Sequence, residues 1–202
     1  MSKCQKYNDV MKMPERIETA RLVLRQPRID DARAIFAGWT QDQEVTRFLT
    51  WHPHQTVVQT EKFIQSCISV WKHGKRFPYM IILKENDHII GMIDPRIEGA
   101  KVGIGYVAAR AYWGKGYVPE ATRMIIEWAF QQSSIHRVYA TTDIENVASQ
   151  RVLEKVGMQC EGILRKYIVH PNVSDVPRDS YMYSIIKAPT PPMPVAGRPP
   201  NP

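Results

Sequence analysis

The chain has 202 residues, of which 44% are hydrophobic and 23% charged, with a formal net charge of +7. This length fits one domain with a sizeable core. No run of about 18 apolar residues predicts a membrane-spanning helix, and the N-terminus lacks the apolar core of a secretory leader. Cys4, Cys67 and Cys160 are odd in number and far apart. This usage predicts reduced thiols in the cytoplasm, with neither a disulfide framework nor a zinc site.

The excess of basic residues, 27 Lys and Arg against 20 Asp and Glu, predicts an anionic partner. No Lys/Arg run or repeated basic–aromatic pattern concentrates this charge, so nucleic acid is a disfavoured partner. A phosphorylated small molecule accounts for the charge equally well.

The predicted elements follow a flexible N-terminal arm, residues 1–15. Alternation of apolar and polar residues predicts a first strand in IETARLVLRQP, residues 17–27. Periodicity, caps and alternation also predict a short helix at 29–40, a longer helix at 56–74, strands at 78–85, 87–96 and 101–110, a helix at 120–132, a strand at 136–144, a short helix at 145–157, and strands at 158–169 and 179–187. Seven of the last fifteen residues, 188–202, are proline, which predicts an extended, disordered tail.

The order of these elements predicts an α/β or α+β fold, in which helices cover the faces of a sheet.

Two signals define the ends of the longer helix. Thr56 can cap its start, and Gly74 can close its end.

The segment AYWGKGYVPEATR, residues 111–123, combines a bare backbone, a positive charge and a helix start. Free N–H groups and the helix dipole favour an anion at such a start, and glycine lets a ligand approach the backbone. Pro119 fits the first helical turn, and Lys115 adds positive charge. The pattern predicts a cradle for phosphate or pyrophosphate. A tight strand-to-helix turn without a ligand is the alternative.

Two other nucleotide motifs are excluded by their context. GIGYVA, residues 103–108, fits G-x-G-x-x-A, but the segment is predicted to run on as strand into Trp113 rather than into a helix. The Gly114-Lys115-Gly116 sequence has neither the Ser or Thr nor the upstream glycine of a P-loop.

A second segment, NVASQRVLEKVGMQCEG at residues 146–162, places Asn146 and Ser149 one turn apart at the start of a short helix. Together with YWGKGYVPEA, it resembles the GNAT superfamily of acyl-CoA-dependent N-acyltransferases. It is most similar to the branch that contains ribosomal-protein N-terminal acetyltransferases. The resemblance covers about residues 17–187. It implies a single domain at 16–187 with a mixed, mostly antiparallel central sheet and helices on both faces.

The resemblance implies that acetyl-CoA is the cosubstrate and that no metal takes part. The backbone of Tyr106, Val107 and Ala108 would pair with the pantetheine arm. The pyrophosphate would bind to the turn formed by Trp113, Gly114, Lys115, Gly116, Tyr117 and Val118. The first and last of these six residues depart from the general superfamily pattern, although tryptophan suits this branch.

Asn146 and Ser149 also receive roles from the resemblance. Asn146 would hydrogen-bond the pantetheine, and Ser149 would lie near the thiol and could protonate the leaving thiolate. Each residue has a simpler alternative, since Asn146 can act as a helix N-cap and Ser149 can face solvent.

The chemistry that the family implies is direct attack of an amine on the thioester in a ternary complex. Two neighbouring strands would splay apart, and a backbone N–H near Tyr106 or Val107 would meet the oxyanion. Many relatives carry a glutamate where this chain has Gly103, so the general base is not assigned by analogy. Asp94 is the best carboxylate candidate for this role. Water that relays the proton to bulk solvent is the competing explanation.

A loop before the longer helix would form the acceptor side, with Trp51, His52 and His54 in the pocket, and the two histidines are further base candidates. Phe48 and Leu49 are expected to be core anchors. A weak requirement for a base favours an α-amine, because about 10–20% of an α-amine but only about 0.04% of a lysine amine is unprotonated at pH 7. The leading hypothesis is therefore an N-acetyltransferase acting on a peptide N-terminus or a small amine, as a monomer or homodimer. An acyl-CoA-binding sensor without turnover is the alternative.

Overall fold

A computed structural model describes residues 11–188 of the chain. Its strands are β1 (Arg16–Glu18), β2 (Leu22–Arg25), β3 (Tyr79–Leu83), β4 (Ile89–Glu98), β5 (Lys101–Ala108), β6 (Arg137–Asp143), β7 (Gln159–Ile168) and β8 (Arg178–Ile186). Its α-helices are α1 (Ala32–Ile35), α2 (Gln43–Thr46), α3 (Val57–Lys72), α4 (Tyr117–Gln131) and α5 (Val147–Lys155). Short 3₁₀ turns cover Ile29–Asp31 and Arg110–Tyr112, and a π turn covers Phe36–Thr40.

The eight strands form one sheet in the order β1-β2-β3-β4-β5-β6-β8-β7. Neighbouring strands are antiparallel, except that β5 and β6 run parallel. The last strand of the sequence, β8, lies between β6 and β7. This mixed and mostly antiparallel sheet confirms the predicted fold class.

Helices cover both faces of the sheet, and β2 shows how the sequence produces two apolar layers. Its side chains alternate between the faces, so that Leu22 and Leu24 pack in the layer that contains Ile125 of α4. Val23 packs in the other layer, which contains Ile64 of α3. All five side chains are buried.

The parallel strands β5 and β6 stay together over only three residue pairs, the last of which is Gly103 with Tyr139. β5 then continues to Ala108 beside β4, and β6 continues to Asp143 beside β8. Beyond Gly103, the backbone groups of β5 that face β6 have no strand partner within residues 11–188. The sheet therefore splits into a cleft between these two strands.

The longer helix agrees with its sequence signals. Its predicted range was 56–74, and α3 covers Val57–Lys72 with Thr56 as the N-cap. The Thr56 hydroxyl accepts a hydrogen bond from the Gln59 N–H at 3.3 Å, and the Gln59 side chain accepts one from the Thr56 N–H at 3.4 Å. This reciprocal pair satisfies two N–H groups that the first turn leaves free.

Two early elements differ from their predictions. The first strand, predicted over residues 17–27, is interrupted, because Thr19 forms a turn between β1 and β2. The Thr19 N–H donates to the Leu22 carbonyl, and the Leu22 N–H donates to the Thr19 hydroxyl, both at 2.9 Å. The helix predicted at 29–40 is broken into a 3₁₀ turn, α1 and a π turn. Gly38, a weak helix former, lies within the π turn.

The ends of the predicted domain fall partly outside the described residues. Residues 11–15 of the predicted arm are described, and they pack on the core: Met13 is only 4% exposed, and the Tyr79 hydroxyl donates to the Pro14 carbonyl. Residues 11–15 therefore belong to the folded domain rather than to a flexible arm, because the Met13 side chain fills the layer under α4. Residues 1–10 of the arm, and all of the predicted tail after Ala188, lie outside the described part.

Within residues 11–188, no helix is long and apolar enough to cross a membrane. The same residues contain no group of three or more His, Cys, Asp or Glu side chains that could hold a metal ion.

Candidate active site

The turn between β5 and α4 presents an exposed helix N-terminus. The strand predicted to reach Trp113 ends at Ala108, because a 3₁₀ turn at Arg110–Tyr112 intervenes. Helix α4 begins at Tyr117, three residues earlier than predicted, directly after Gly116. The N–H groups of its first turn are therefore open to an anion at the loop.

Both glycines of the turn adopt a backbone conformation that other residues rarely take. The φ angle is +74° at Gly114 and +80° at Gly116. A Cβ on Gly114 would meet no atom within 4 Å, so the surface above this position is open. The exposed indole of Trp113 is fixed at the edge of the turn, since its Nε1–H donates to the Ala108 carbonyl at 2.7 Å.

Arg21 fastens this turn to the hairpin formed by β1 and β2. Its guanidinium donates to the Lys115 carbonyl at 3.1 Å and forms an ion pair with Glu120 at 2.7 Å. The guanidinium also lies 4.5 Å from the centre of the Tyr117 ring. Sequence reasoning missed this residue, because the strand pattern around Arg21 gives no indication of a partner in α4.

Lys115 and Glu120 complete the charges of the turn. The Lys115 ammonium lies 5.3 Å from the centre of the Tyr112 ring and makes no ion pair with any of residues 11–188. Although burial alone raises the pKa of Glu120, hydrogen bonds from Thr19 and Arg21 hold it below its usual value. The turn therefore offers an unpaired positive charge beside a helix start.

The β5 wall of the cleft contains the residues predicted to bind pantetheine. Tyr106, Val107 and Ala108 lie beyond Gly103, where β5 has left β6. On its other side, the β5 backbone approaches β4 closely at Gly91. A Cβ on Gly91 would stand only 2.3 Å from the Val107 carbonyl oxygen. Only glycine permits this close approach.

Tyr106 links β5 to α5 across the cleft. Its hydroxyl oxygen lies 2.8 Å from Ser149 Oγ, and the hydroxyl also donates to the Ser149 carbonyl at 3.2 Å. Burial raises the pKa of Tyr106, so its hydroxyl stays protonated at neutral pH. Ser149 is therefore held against a hydroxyl group rather than facing only solvent. The role of the Tyr106 side chain was not predicted, since the sequence indicated only its backbone.

Asn146 is the N-cap of α5, which confirms the capping alternative. Its Oδ1 accepts a hydrogen bond from the Ser149 N–H at 3.1 Å. Its Nδ2 donates to none of residues 11–188, so the capping role leaves the amide hydrogens available to a ligand.

Position 103, where the family resemblance implies a glutamate in many relatives, is crowded here by an aromatic ring. A Cβ on Gly103 would stand 3.0 Å from Tyr139 Cζ and Oη. The Tyr139 hydroxyl donates to Glu98 at 2.8 Å, and burial together with Glu98 raises the pKa of Tyr139 to about 12. Tyr139 thus fills the space beside Gly103.

Asp94, the predicted carboxylate base, is engaged in ion pairs. It is 3% exposed, and its Oδ2 accepts hydrogen bonds from Arg76 at 2.7 Å and from Arg96 at 3.1 Å and 3.2 Å. These donors occupy the lone pairs of that oxygen, which makes Asp94 better suited to holding β4 against its neighbours than to accepting a substrate proton.

Of the three predicted acceptor residues, Trp51 and His54 pack together in an aromatic cluster. Their ring centres are 4.8 Å apart, and both rings also pack against Phe63. His54 Nδ1 lies 2.8 Å from the Thr60 hydroxyl, and burial lowers the pKa of His54. His52 is exposed instead, and its Nδ1 lies 2.9 Å from Asn172 Oδ1.

The loop between β7 and β8 closes over the acceptor loop, which sequence reasoning did not predict. His170 is 6% exposed, packs edge-on against Phe48, and lies 3.8 Å from Asp143 at the end of β6. Burial lowers the pKa of His170, against the opposing effect of the Asp143 carboxylate. Arg178 also pairs with Asp143 at 2.7 Å. Phe48 is half-buried and packs on His170 outside both apolar layers, whereas Leu49 packs against the layer that contains Ile64.

The family to which the chain belongs follows from a match between its sequence and a known family model. Residues 21–159 match the family model described as "Acetyltransferase (GNAT) domain". The chain belongs to the GNAT family of acetyltransferases. This membership confirms the resemblance seen in the sequence. It makes the protein an acyl-CoA-dependent N-acetyltransferase, and the acyl donor of the family is acetyl-CoA.

Individual relatives of this GNAT protein agree with the assignment. The uncharacterized N-acetyltransferase p20 of Bacillus licheniformis is 33% identical over 178 residues, which cover 86% of this chain and 97% of p20. A GNAT-family acetyltransferase from Bacillus anthracis has a similar structure, with a TM-score of 0.74, 29% identity, and coverage of 85% of this chain and 98% of that one.

A further solved structure is that of Mycobacterium smegmatis RimJ in complex with CoA-disulfide. It has a TM-score of 0.72 and 26% identity, and the match covers 82% of this chain and 81% of RimJ. Structures of ribosomal-protein acetyltransferases are also among the fold matches.

Proposed function

We propose that this GNAT enzyme transfers an acetyl group from acetyl-CoA to the α-amine of a peptide or protein N-terminus, or to a small amine. The amine attacks the thioester directly in a ternary complex. The observation that carries the proposal is the separation of β5 from β6 after Gly103 and Tyr139, next to the open N-terminus of α4. The extended pantetheine arm of acetyl-CoA can enter this cleft while the diphosphate reaches the N-terminus of α4.

The diphosphate of acetyl-CoA would bind to the N–H groups of the turn from Trp113 to Val118. Gly114 and Gly116 have no side chains of their own over this backbone, the space above Gly114 is open, and Lys115 supplies charge. The pantetheine arm would run along Tyr106, Val107 and Ala108 as an added strand, in the manner of β-strand addition. The Asn146 amide hydrogens would bind the same arm.

The reaction centre would lie where the arm meets Tyr106 and Ser149. A backbone N–H at Tyr106 or Val107 would donate to the oxyanion of the tetrahedral intermediate, a contribution of roughly 3–4 kcal/mol in other acyl-transfer enzymes. Ser149 Oγ would protonate the leaving thiolate. The Tyr106 hydroxyl, 2.8 Å away, would orient it.

The class of acceptor amine follows from its pKa, because the amine must lose a proton before it attacks. Gly103 provides no carboxylate, and Asp94 is buried, with its Oδ2 bonded to two arginines. A lysine amine would need more than two pK units of assistance beyond an α-amine, or about 3 kcal/mol. The site therefore suits an α-amine or another amine of low pKa.

The test is acetylation of a panel of peptides and small amines, with detection by mass spectrometry and by thiol release. Each peptide of the panel contains an internal lysine and is tested both with a free N-terminus and with a blocked N-terminus. We expect acetylation at the free N-terminus and none on the blocked twin. If acetyl-CoA binds but no member of the panel accelerates thiol release, the alternative of an acyl-CoA sensor is favoured instead.

Two further expectations stay predictions. The cytoplasmic location rests on the cysteine usage of the sequence, and the protein is expected to act as a monomer or homodimer. Cell fractionation and light scattering would test them.

A further inference from the structure

The side-chain amide of Asn172 makes three hydrogen bonds that fix its orientation. Its Nδ2 lies 2.8 Å from the Thr46 carbonyl oxygen and 2.8 Å from the Trp51 carbonyl oxygen. A carbonyl oxygen only accepts hydrogen bonds, so the amide NH₂ group must face these two atoms. The amide oxygen, Oδ1, therefore faces His52 Nδ1 at 2.9 Å.

This orientation determines the tautomer of His52. Since the Asn172 oxygen only accepts, His52 Nδ1 must carry the proton and donate it. In a neutral imidazole with a protonated Nδ1, the lone pair is on Nε2. Asn172 thus leaves His52 with an unprotonated Nε2, and the side chain is exposed.

The loop that carries His52 packs near the separated parts of β5 and β6. On the β5 side, Leu49 packs in the apolar layer that contains Val107. On the β6 side, Phe48 packs against His170, which lies 3.8 Å from Asp143. Val107 and Asp143 each lie four residues beyond the last β5–β6 pair. The loop therefore shares an apolar layer with a residue of the separated part of β5 and is linked through His170 to the end of β6.

The other predicted bases are less accessible than His52. His54 is packed between two aromatic rings and bonded to Thr60. Asp94 is 3% exposed, and its Oδ2 already accepts hydrogen bonds from two arginines. His52 is the candidate with an exposed ring and a proton acceptor that its neighbour keeps free.

We infer that His52 is the general base of the reaction and that Asn172 is the residue that positions it. The inference rests on the proposed transfer to an amine. His52 Nε2 takes one proton from the acceptor ammonium, and the freed nitrogen lone pair forms the bond to the thioester carbon. The C–S bond breaks as the tetrahedral intermediate collapses. The second N–H proton reaches the thiolate through Ser149, and His52 returns the first proton to solvent.

The first test is the pH dependence of kcat/KM with a peptide that has a free N-terminus. With a base on the enzyme the ammonium form of the acceptor can react, so between pH 6.5 and 7.5 the wild-type kcat/KM should stay nearly flat rather than follow the fraction of free amine. His52→Gln should be about 100-fold slower at pH 7. Its rate should rise about sevenfold over the same range, because it follows the free amine alone. His136→Gln, at an exposed histidine at the start of β6, is the matched control and should behave as the wild type.

The second test separates positioning by Asn172 from a structural role. Asn172→Ala should show the same steep pH profile as His52→Gln, with an unchanged Kd for acetyl-CoA. Added to His52→Gln, Asn172→Ala should lower kcat/KM by less than about a further twofold, because Asn172 acts only through His52. Asn172→Asp keeps an acceptor for His52 Nδ1 but sets a carboxylate oxygen against the Thr46 and Trp51 carbonyls, so it should recover part of the rate with reduced thermal stability. Thermal unfolding and acetyl-CoA binding of each variant report whether the fold is intact.

The inference is overturned if His52→Gln keeps the wild-type rate and the flat profile, or if Asn172→Ala alters stability but not the profile. Either result leaves acetyl transfer itself in place. Should the wild type acetylate no amine at all, the proposed function fails instead, and this outcome is distinguished by thiol release before any variant is made.

Discussion

Arg21 and Glu120, in the β1–β2 hairpin and the first turn of α4, form an ion pair of 2.7 Å. The Arg21 guanidinium also donates to the Lys115 carbonyl. One side chain therefore connects the edge of the sheet to the turn that is proposed to bind diphosphate.

Replacing Arg21 with glutamine should weaken the binding of acetyl-CoA. Without the guanidinium, the turn loses its hydrogen bond at Lys115 and its contact with Tyr117. We expect KM for acetyl-CoA to rise about three- to tenfold, since a half-exposed ion pair and one hydrogen bond contribute roughly 1 kcal/mol together. Steady-state kinetics would measure this. Arg16→Gln, which removes an exposed pair with Glu18, should leave KM unchanged.

Acid should loosen the same turn. The folded state lowers the pKa of Glu120 from a usual value of 4.5. The corresponding stability is therefore fully present above about pH 4.5 and is lost as the pH falls through the lowered value. Thermal unfolding at pH 7 and pH 4 should show a smaller loss in Glu120→Gln than in the wild type. Equal losses in the two proteins would contradict the assignment.

Alanine at Gly114 or Gly116 should reduce stability and cofactor affinity together. A positive φ costs a non-glycine residue roughly 1–2 kcal/mol, and a new methyl group stands where the diphosphate is expected. Gly99 is a matched control, since it has a φ of +63° with open space around it and lies in the turn between β4 and β5. Gly99→Ala should show the stability loss alone, with an unaltered Kd for acetyl-CoA by calorimetry.

Introducing the glutamate that many relatives carry at position 103 should not improve catalysis. Gly103→Glu would require the end of the Tyr139 ring to shift by a few tenths of an ångström and would strain its hydrogen bond to Glu98. Overpacking of this kind typically costs about 1–3 kcal/mol. The double variant Gly103→Glu with Tyr139→Ala should recover stability relative to the single change. If the single change leaves the melting temperature unaltered, the ring does not block the position.

Ser149 and Tyr106 should affect turnover more than binding. We expect Ser149→Ala to lower kcat about 10²-fold, since general acid catalysis typically contributes 10²–10⁴-fold. Tyr106→Phe should lower it less, because it removes the two hydrogen bonds that hold Ser149 and leaves the Ser149 hydroxyl in place. Tyr167→Phe, at an exposed tyrosine of β7, serves as the control. An effect of Ser149→Ala on KM alone would contradict the proposed acid.

The elements that sequence reasoning predicted well are those whose signals are local. The capping pair of Thr56 and Gln59 lies within four residues, and α3 begins where that pattern indicates. The interruption between β1 and β2 was not predicted. It depends on Thr19, whose hydroxyl also donates to Glu120 at a distance of 101 residues along the chain, and no local pattern contains that contact.

The same division holds in the candidate site. The turn around Gly114 and Gly116 was predicted because glycine, lysine and a helix start adjoin in the sequence. Asn172 was not, because its partner His52 lies 120 residues away and an asparagine after a proline is typical of any turn. Its importance becomes visible only when the two loops are seen together.

The position of β8 between β6 and β7 affects how the protein is made. Strands β1 to β6 can align in sequence order during synthesis, but β7 has no place in the sheet until β8 arrives and inserts beside β6. Asn172 lies in the loop just before β8. A nascent chain that has emerged only through α5 therefore contains the turn from Trp113 to Val118 but not the contact that orients His52. We expect the binding of acetyl-CoA to precede the ability to react with an acceptor.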